Sequence, residues 1–257
     1  MKLPITLCLF TTTKGHHKRG FTDCRITLNH LDAQLPLSLF AAKVASLKIT
    51  PGDEALGGQM ADELSVRGFK VLTEVAAWQR GTSHQQAYNE DIQRISRDPL
   101  VHAQPYVWWV EDDGLLDCHG CTLERLLADS ARMLAENADL LTVRLRRRAD
   151  DRGPEAGPQT DTRFFWSQHF NFQPSILRTR DFQLAALFIE RNPHLAAQVQ
   201  IEALWRMVLG NFTRSPLCHA VWECDHAESI HIGVPQAEHE AALRQLGLTP
   251  LPTLPHA

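Results

Sequence analysis

The chain has 257 residues, 44% of them hydrophobic and 22% charged, which is enough to bury one substantial core and too apolar for a disordered segment. A formal net charge of −4 excludes the broad basic surface with which a dedicated nucleic-acid binder neutralises phosphates. The six cysteines are scattered, and no apolar run reaches the roughly 18 residues of a membrane span, so a single domain without a transmembrane segment, in a reducing cytoplasm, is expected.

In chain order, Ile5 to Thr11 reads as a buried strand. The apolar run Lys2 to Phe10 is too short for a secretory signal, contains Pro4 and lacks a small-residue cleavage site. The following loop, Thr11-Thr12-Thr13-Lys14-Gly15, carries hydroxyls and opens a basic run that ends at Arg19. Ile26, Leu28, Leu31 and Leu35 have helical spacing and predict a helix from Asp23 to Leu35, before a strand-like run from Leu37 to Leu47. Pro51-Gly52-Asp53 opens a helix to about Arg67, and Lys70 to Val75 is a strand.

A fourth unit has a helix from Ser83 to Arg97, a strongly apolar strand from Tyr106 to Val110 and a helix from Thr122, as its cap, to Asn137. After a strand at Leu140 to Leu145, the turn-forming stretch from Ala149 to Pro158 is too poor in apolar residues to pack and predicts a mobile loop. Beyond it come the aromatic clusters Phe164-Phe165-Trp166 and Phe170-Asn171-Phe172, helices at Asp181 to Glu190 and His194 to Leu209, strands at Leu217 to Trp222 and Ser229 to Val234, and a helix near Glu238 to Leu246.

Repeated strand–helix alternation predicts an α/β fold with a mostly parallel central sheet and helices on both faces. One domain over residues 1–248 is expected, with a nucleotide-side half (about 1–148), a more mixed half (about 160–248), and a flexible proline-rich tail at 249–257.

Chemistry in such sheets gathers outside the carboxyl ends of the strands. Here that position reads Tyr106-Val107-Trp108-Trp109-Val110-Glu111-Asp112-Asp113-Gly114. Three adjacent carboxylates repel one another unless a cation offsets them, and Mg²⁺ or Mn²⁺ accepts carboxylate and phosphate oxygens together. Arg80-Gly81-Thr82-Ser83 precedes a helix, where backbone donors and an arginine favour an anion, and Asp91 lies farther along that helix; an ordinary N-cap at Ser83 explains the same residues.

The element order together with the acidic triplet resembles the GT-A glycosyltransferases, the nucleotide-diphospho-sugar transferase fold, in a family-2-like form over approximately residues 3 to 235. The resemblance implies a Rossmann-like domain in which Asp113, with Asp112, binds the metal and Glu111 or Asp112 contacts ribose or metal. It makes His231, in Ile230-His231-Ile232-Gly233, the late metal or diphosphate ligand. Thr11, Thr13 and Lys14 correspond to the nucleotide-facing opening. Glu202 is the candidate general base for an inverting transfer, with Asp225 and Glu223 as competitors. The donor implied is a nucleoside-diphosphate sugar, UDP favoured, although the second strand carries Lys48 where many members present an acidic residue to uracil. The acceptor class stays open among a glycan, a small molecule, a protein and a modified nucleobase. Trp166, His169, Phe170 and Phe172 are candidates for its pocket or for the core.

Two rival constellations stand beside this reading. Clustered carboxylates also serve phosphoryl transfer, as in a nucleotidyltransferase or nuclease, while the absence of a GxxxxGK[ST] loop argues against a P-loop kinase. Cys118-His119-Gly120-Cys121, Cys218-His219 and Cys224-Asp225-His226 are zinc-ligand types; united by the fold, a closed site would be structural and compatible with the transferase reading, whereas an open one would point to a hydrolase or a zinc-stabilised binding module.

Overall fold

The structure is a computed structural model that describes residues 2–13, 21–76, 84–118, 121–138, 140–145, 164–167, 174–198, 204–205, 208, 218–222 and 227–231. β1 (Leu3–Thr12) is followed by α1 (Thr22–Gln34), β2 (Phe40–Ile49), α2 (Glu54–Val66), β3 (Lys70–Val75), α3 (His84–Ser96), the single turn α4 (Pro99–His102) and β4 (Tyr106–Glu111). Then come β5 (Gly114–Cys118), α5 (Leu123–Glu136), β6 (Leu140–Arg144), β7 (Phe164–Ser167), β8 (Ser175–Arg178), α6 (Thr179–Arg191), α7 (Pro193–Gln198), β9 (Cys218–Trp222) and β10 (Ala227–His231).

Eight strands form one sheet in the order β3-β2-β1-β4-β8-β6-β9-β7. The pairings β1 with β2, β1 with β4, β2 with β3 and β6 with β9 are parallel, whereas β8 runs antiparallel to β4 and β6, and β7 antiparallel to β9. Six strands therefore share a direction and two oppose it. β5 and β10 make a separate antiparallel ribbon. The chain proceeds outward from β1 to β2 and β3, then returns to β1's other side for β4, so the crevice of this reversal opens at the carboxyl ends of β1 and β4.

The period of two in β1 and β4 splits their side chains between two cores. Leu7, Leu9, Trp108 and Val110 join a layer with residues of α1, α2 and α5. Cys8, Phe10, Val107 and Trp109 join a layer with residues of α3, α4 and α6. Both faces are thus covered, which explains why β4 reads as an unbroken apolar run. Trp108 and Trp109, one for each layer, are buried; truncating either to alanine would cost about 3–5 kcal/mol.

Local signals set the element ends. Thr122 Oγ1 accepts from Arg125 N at 3.2 Å to cap α5, and the Asp98 carboxylate caps α4 ahead of Pro99. α2 ends in a Schellman arrangement: Gly68 N donates to Ser65 O at 2.9 Å, Phe69 N donates to Leu64 O at 3.0 Å, and Gly68 takes a φ of +82°. Leu64 and Phe69 are both buried, so the turn that ends the helix also aims β3.

The structure corrects the expected elements in several places. The strand expected at Leu37 to Leu47 begins only at Phe40, because Pro36 leads into a 3₁₀ turn over Leu37–Leu39, and it continues to Ile49. α4, β5, β7 and β8 were absent from the sequence reading. For the helix expected at His194 to Leu209, the described portions are α7 and helical residues 204–205 and 208. The loop at 149–158, the helix near 238–246 and the tail at 249–257 lie outside the described residues.

Candidate functional site

The acidic triplet lies where β4 leaves the sheet and turns into β5. Glu111 is the last residue of β4, Asp112 and Asp113 form the turn, and Gly114 starts the ribbon. Alternation along β4 carries Glu111 to the same side as Val107 and Trp109, towards α3, and there Tyr88 Oη donates to Glu111 Oε1 at 2.5 Å. Asp112 is held from the opposite layer. Thr11, at the end of β1, donates its hydroxyl to Asp112 Oδ2, and Thr27 of α1 donates to the Asp112 backbone carbonyl at 2.8 Å. The turn is therefore gripped from both faces of the sheet.

The ribbon is fixed to α1 as well. Gln34 Nε2 donates to Leu116 O at 2.5 Å while Cys118 N donates to Gln34 Oε1 at 3.1 Å, so a single amide satisfies both polar directions of the strand. In the β5–β10 pairing, His231 is the register partner of Gly114, and Ser229 that of Leu116. The backbone of His231 thus lies across from the residue that follows Asp113, although more than a hundred positions separate them in sequence.

A second ionic cluster occupies the neighbouring strand ends. Lys48 of β2 is almost wholly buried, with its Nζ 2.9 Å from Glu90, 3.6 Å from Glu74 and 4.0 Å from Asp91. Arg94 reaches Asp91 at 3.1 Å, bonds the Ser46 hydroxyl at 2.9 Å and pairs with Glu74. Burial raises the Asp91 carboxyl to about 6, against the lowering influence of Lys48 and of the Ser46 hydrogen bond. Asp91 is engaged inside this network. The acidic neighbours missing from the end of β2 in sequence arrive from β3 and α3 instead.

The other candidate residues divide by position. Thr11 is bound to the acidic turn, and Thr13, fully buried, accepts from Thr50 N at 2.8 Å and ties the ends of β1 and β2 together. Lys14, Arg80, Glu202, Glu223 and Asp225 lie outside the described residues, as do His169, Phe170, Phe172 and the side chain of Trp166. The sequence reading missed Tyr88 and Thr27: a tyrosine and a threonine within amphipathic helices carry no local mark of a long-range hydrogen bond.

For the cysteines, the register pairs Cys118 with Ala227, so the β5–β10 ribbon closes most of the sequence gap between the two Cys/His groups. His119, Gly120, Cys224, Asp225 and His226 lie outside the described residues, and among the described residues no three metal-ligand side chains cluster. Burial pushes the thiols of Cys8 and Cys24 well up, so neither supplies a ready thiolate.

A cavity of about 20 Å³ behind the turn, lined by Thr27, His30, Trp108, Gly114, Leu116 and Pro174, has room for about one water. It is far too small for a nucleotide. The donor types at the turn are hard oxygens, the chemistry that Mg²⁺ and Mn²⁺ prefer.

No protein-family model matches the chain, and no curated protein matches it by sequence. Solved structures do match in fold. The chain superposes on 4-diphosphocytidyl-2C-methyl-D-erythritol synthase from Anaerococcus prevotii with a TM-score of 0.52 and 13% identity, covering 95% of this chain and 97% of that one. A nucleoside-diphosphate-sugar pyrophosphorylase from Vibrio cholerae matches with a TM-score of 0.50 and 13% identity, over 94% of this chain and 100% of that one. The chain therefore has the Rossmann-like fold of the nucleotidyltransferases and GT-A glycosyltransferases. Among the described residues, no helix is long and apolar enough to cross a membrane.

Proposed function

We propose that this chain is a metal-dependent glycosyltransferase that moves a sugar from a nucleoside-diphosphate sugar, with UDP as the favoured nucleotide, to an acceptor hydroxyl. The observation that carries the reading is the meeting of the acidic turn with the strand of His231, through the register pair His231 and Gly114 at the carboxyl end of β4. Asp113, Asp112 and His231 are the proposed ligands of Mn²⁺ or Mg²⁺, with Glu111 supporting the ribose or the metal. When bound, the ion offsets charge on the departing diphosphate. Thr11, Thr13, Lys14 and Arg80 form the proposed nucleotide side, of which Thr11 also fixes Asp112, while Asp91, the other candidate there, is engaged by Lys48 and Arg94. Glu202 is the proposed base that takes the acceptor proton, Asp225 its competitor, and inversion the proposed outcome. A single catalytic domain over residues 1–248 working in the cytoplasm completes the reading.

A second reading, transfer of a nucleotidyl group from a nucleoside triphosphate, is favoured by the basic residues Lys14, Lys18 and Arg19 directly after β1, where extra phosphates would need cations. The two reactions differ in product. Incubation with UDP-sugars and Mn²⁺ should release UDP, and release that requires Asp113 supports glycosyl transfer. Pyrophosphate formed from a nucleoside triphosphate and a sugar phosphate, with no release of UDP, would replace it with the second reading.

A further inference from the structure

A chain of aromatic residues ends at the acidic turn, an arrangement that the proposed ligand role of the turn does not by itself require. Trp109 Nε1 donates to Tyr88 Oη at 2.6 Å, and Tyr88 Oη lies 2.5 Å from Glu111 Oε1. The direction of this relay is fixed by the inventory of protons. An indole nitrogen only donates, and a phenol has one proton, so the tyrosine spends its proton on the carboxylate. The anchor cannot swing. Trp109 is fully buried, its ring stacks on Phe10 with centroids 3.5 Å apart and planes 18° apart, and it meets Tyr88 and Phe182 edge-on at 5.3 and 5.8 Å. Phe10 is in turn the strand partner of Glu111 in the pairing of β1 with β4. A rigid wall thus ends in one hydroxyl directed at one carboxylate oxygen.

We propose that Tyr88 is a positioning residue for the acidic turn: the relay from Trp109 through Tyr88 presents the Glu111 carboxylate to the metal–nucleotide complex in a single orientation. The proposal rests on the reading of the turn as the metal and nucleotide site. A glutamate at the end of a strand otherwise has three side-chain torsions to restrict on binding, and a held carboxylate meets its ligand with that ordering already done. The relay also makes α3 part of the site. The same helix carries Asp91 and Arg94 into the Lys48 cluster, so Tyr88 reaches β4 from a helix that ion pairs have already fixed on β2.

The test is titration of Mn²⁺ into the full chain in the presence of UDP and, separately, GDP, for wild type, Tyr88→Phe, Glu111→Gln and the double variant. Tyr88→Phe removes one oxygen and leaves the ring, so far-ultraviolet circular dichroism, which reports the backbone, should be unchanged. Metal affinity should fall about 10-fold or more, as for the loss of other groups that orient metal-site carboxylates. In the Glu111→Gln background, the same tyrosine change should have no further effect. Trp109→Phe, which keeps the stack and removes the indole N–H, should weaken affinity in the same direction and serves if Tyr88→Phe fails to fold. Wild-type affinity in Tyr88→Phe, or an equal loss with and without Glu111, overturns the positioning role while leaving the metal site standing. A wild-type chain that takes up no Mn²⁺ with either nucleotide overturns both.

Discussion

Two acidic clusters stand side by side at the carboxyl ends of the same sheet, and they are held in opposite ways. At β2, Glu74, Glu90 and Asp91 surround the buried ammonium of Lys48 and the guanidinium of Arg94, charge against charge. At β4, Glu111 and Asp112 are gripped by the neutral hydroxyls of Tyr88 and Thr11, which fix the oxygens without bringing a positive charge. A carboxylate paired with a buried cation is committed to the fold, whereas a hydroxyl fixes a carboxylate oxygen without adding a charge of its own. Clustering of acidic residues in sequence does not distinguish the two kinds of support.

The comparison can be broken most forcefully at Lys48. Lys48→Met leaves three carboxylates around a lost cation and should destabilise the chain by about 3 kcal/mol or more in urea denaturation, with Mn²⁺-dependent nucleotide binding retained in the fraction that folds. Asp113→Asn should do the reverse. Mn²⁺-dependent nucleotide affinity should drop at least about 100-fold, beyond the loss expected from an orienting partner, while circular dichroism and the denaturation midpoint stay unchanged. Unchanged affinity would remove Asp113 from the site.

A smaller effect is expected at Thr27, whose hydroxyl holds the Asp112 carbonyl. Thr27→Val should cost about 1 kcal/mol of stability and loosen nucleotide binding only modestly. The pH dependence of stability turns on Asp91. Its folded carboxyl titrates near 6, above the ordinary value of 3.8, so the folded state holds a proton that the unfolded state has released between those values. Stability should therefore rise as pH falls from about 6 towards 4, and the cost of ionising Asp91 should be fully present above 6. Asp91→Asn should flatten that part of the stability profile, and an identical slope in both proteins would show that another group is responsible.

Sequence alone revealed the first half of the fold well, because its elements are long and periodic. β3 is found at Lys70–Val75 as expected, and α1, α2, α3 and α5 lie within two residues of the expected bounds. β5, β7 and β8, of four or five residues each, were missed although the equally short β6 and β9 were found: strands of this length establish no period, and their detection rests on composition alone. β8 is inserted antiparallel between β4 and β6, a pairing decided by long-range register rather than by any local signal in Ser175–Arg178. The acidic turn was legible from its place after an apolar strand. Its supports were not, since Tyr88 and Thr27 reach it across 23 and 85 positions.

The most direct test of the central claim is thermal unfolding of the full chain with nucleoside diphosphates and their sugar conjugates, each with and without Mn²⁺ or Mg²⁺, because a ligand that binds only the folded state raises the midpoint. The expected result is a rise that requires nucleotide and ion together, selects one base and vanishes in Asp113→Asn. A rise with zinc alone, or none with any nucleotide and ion pair, would contradict it.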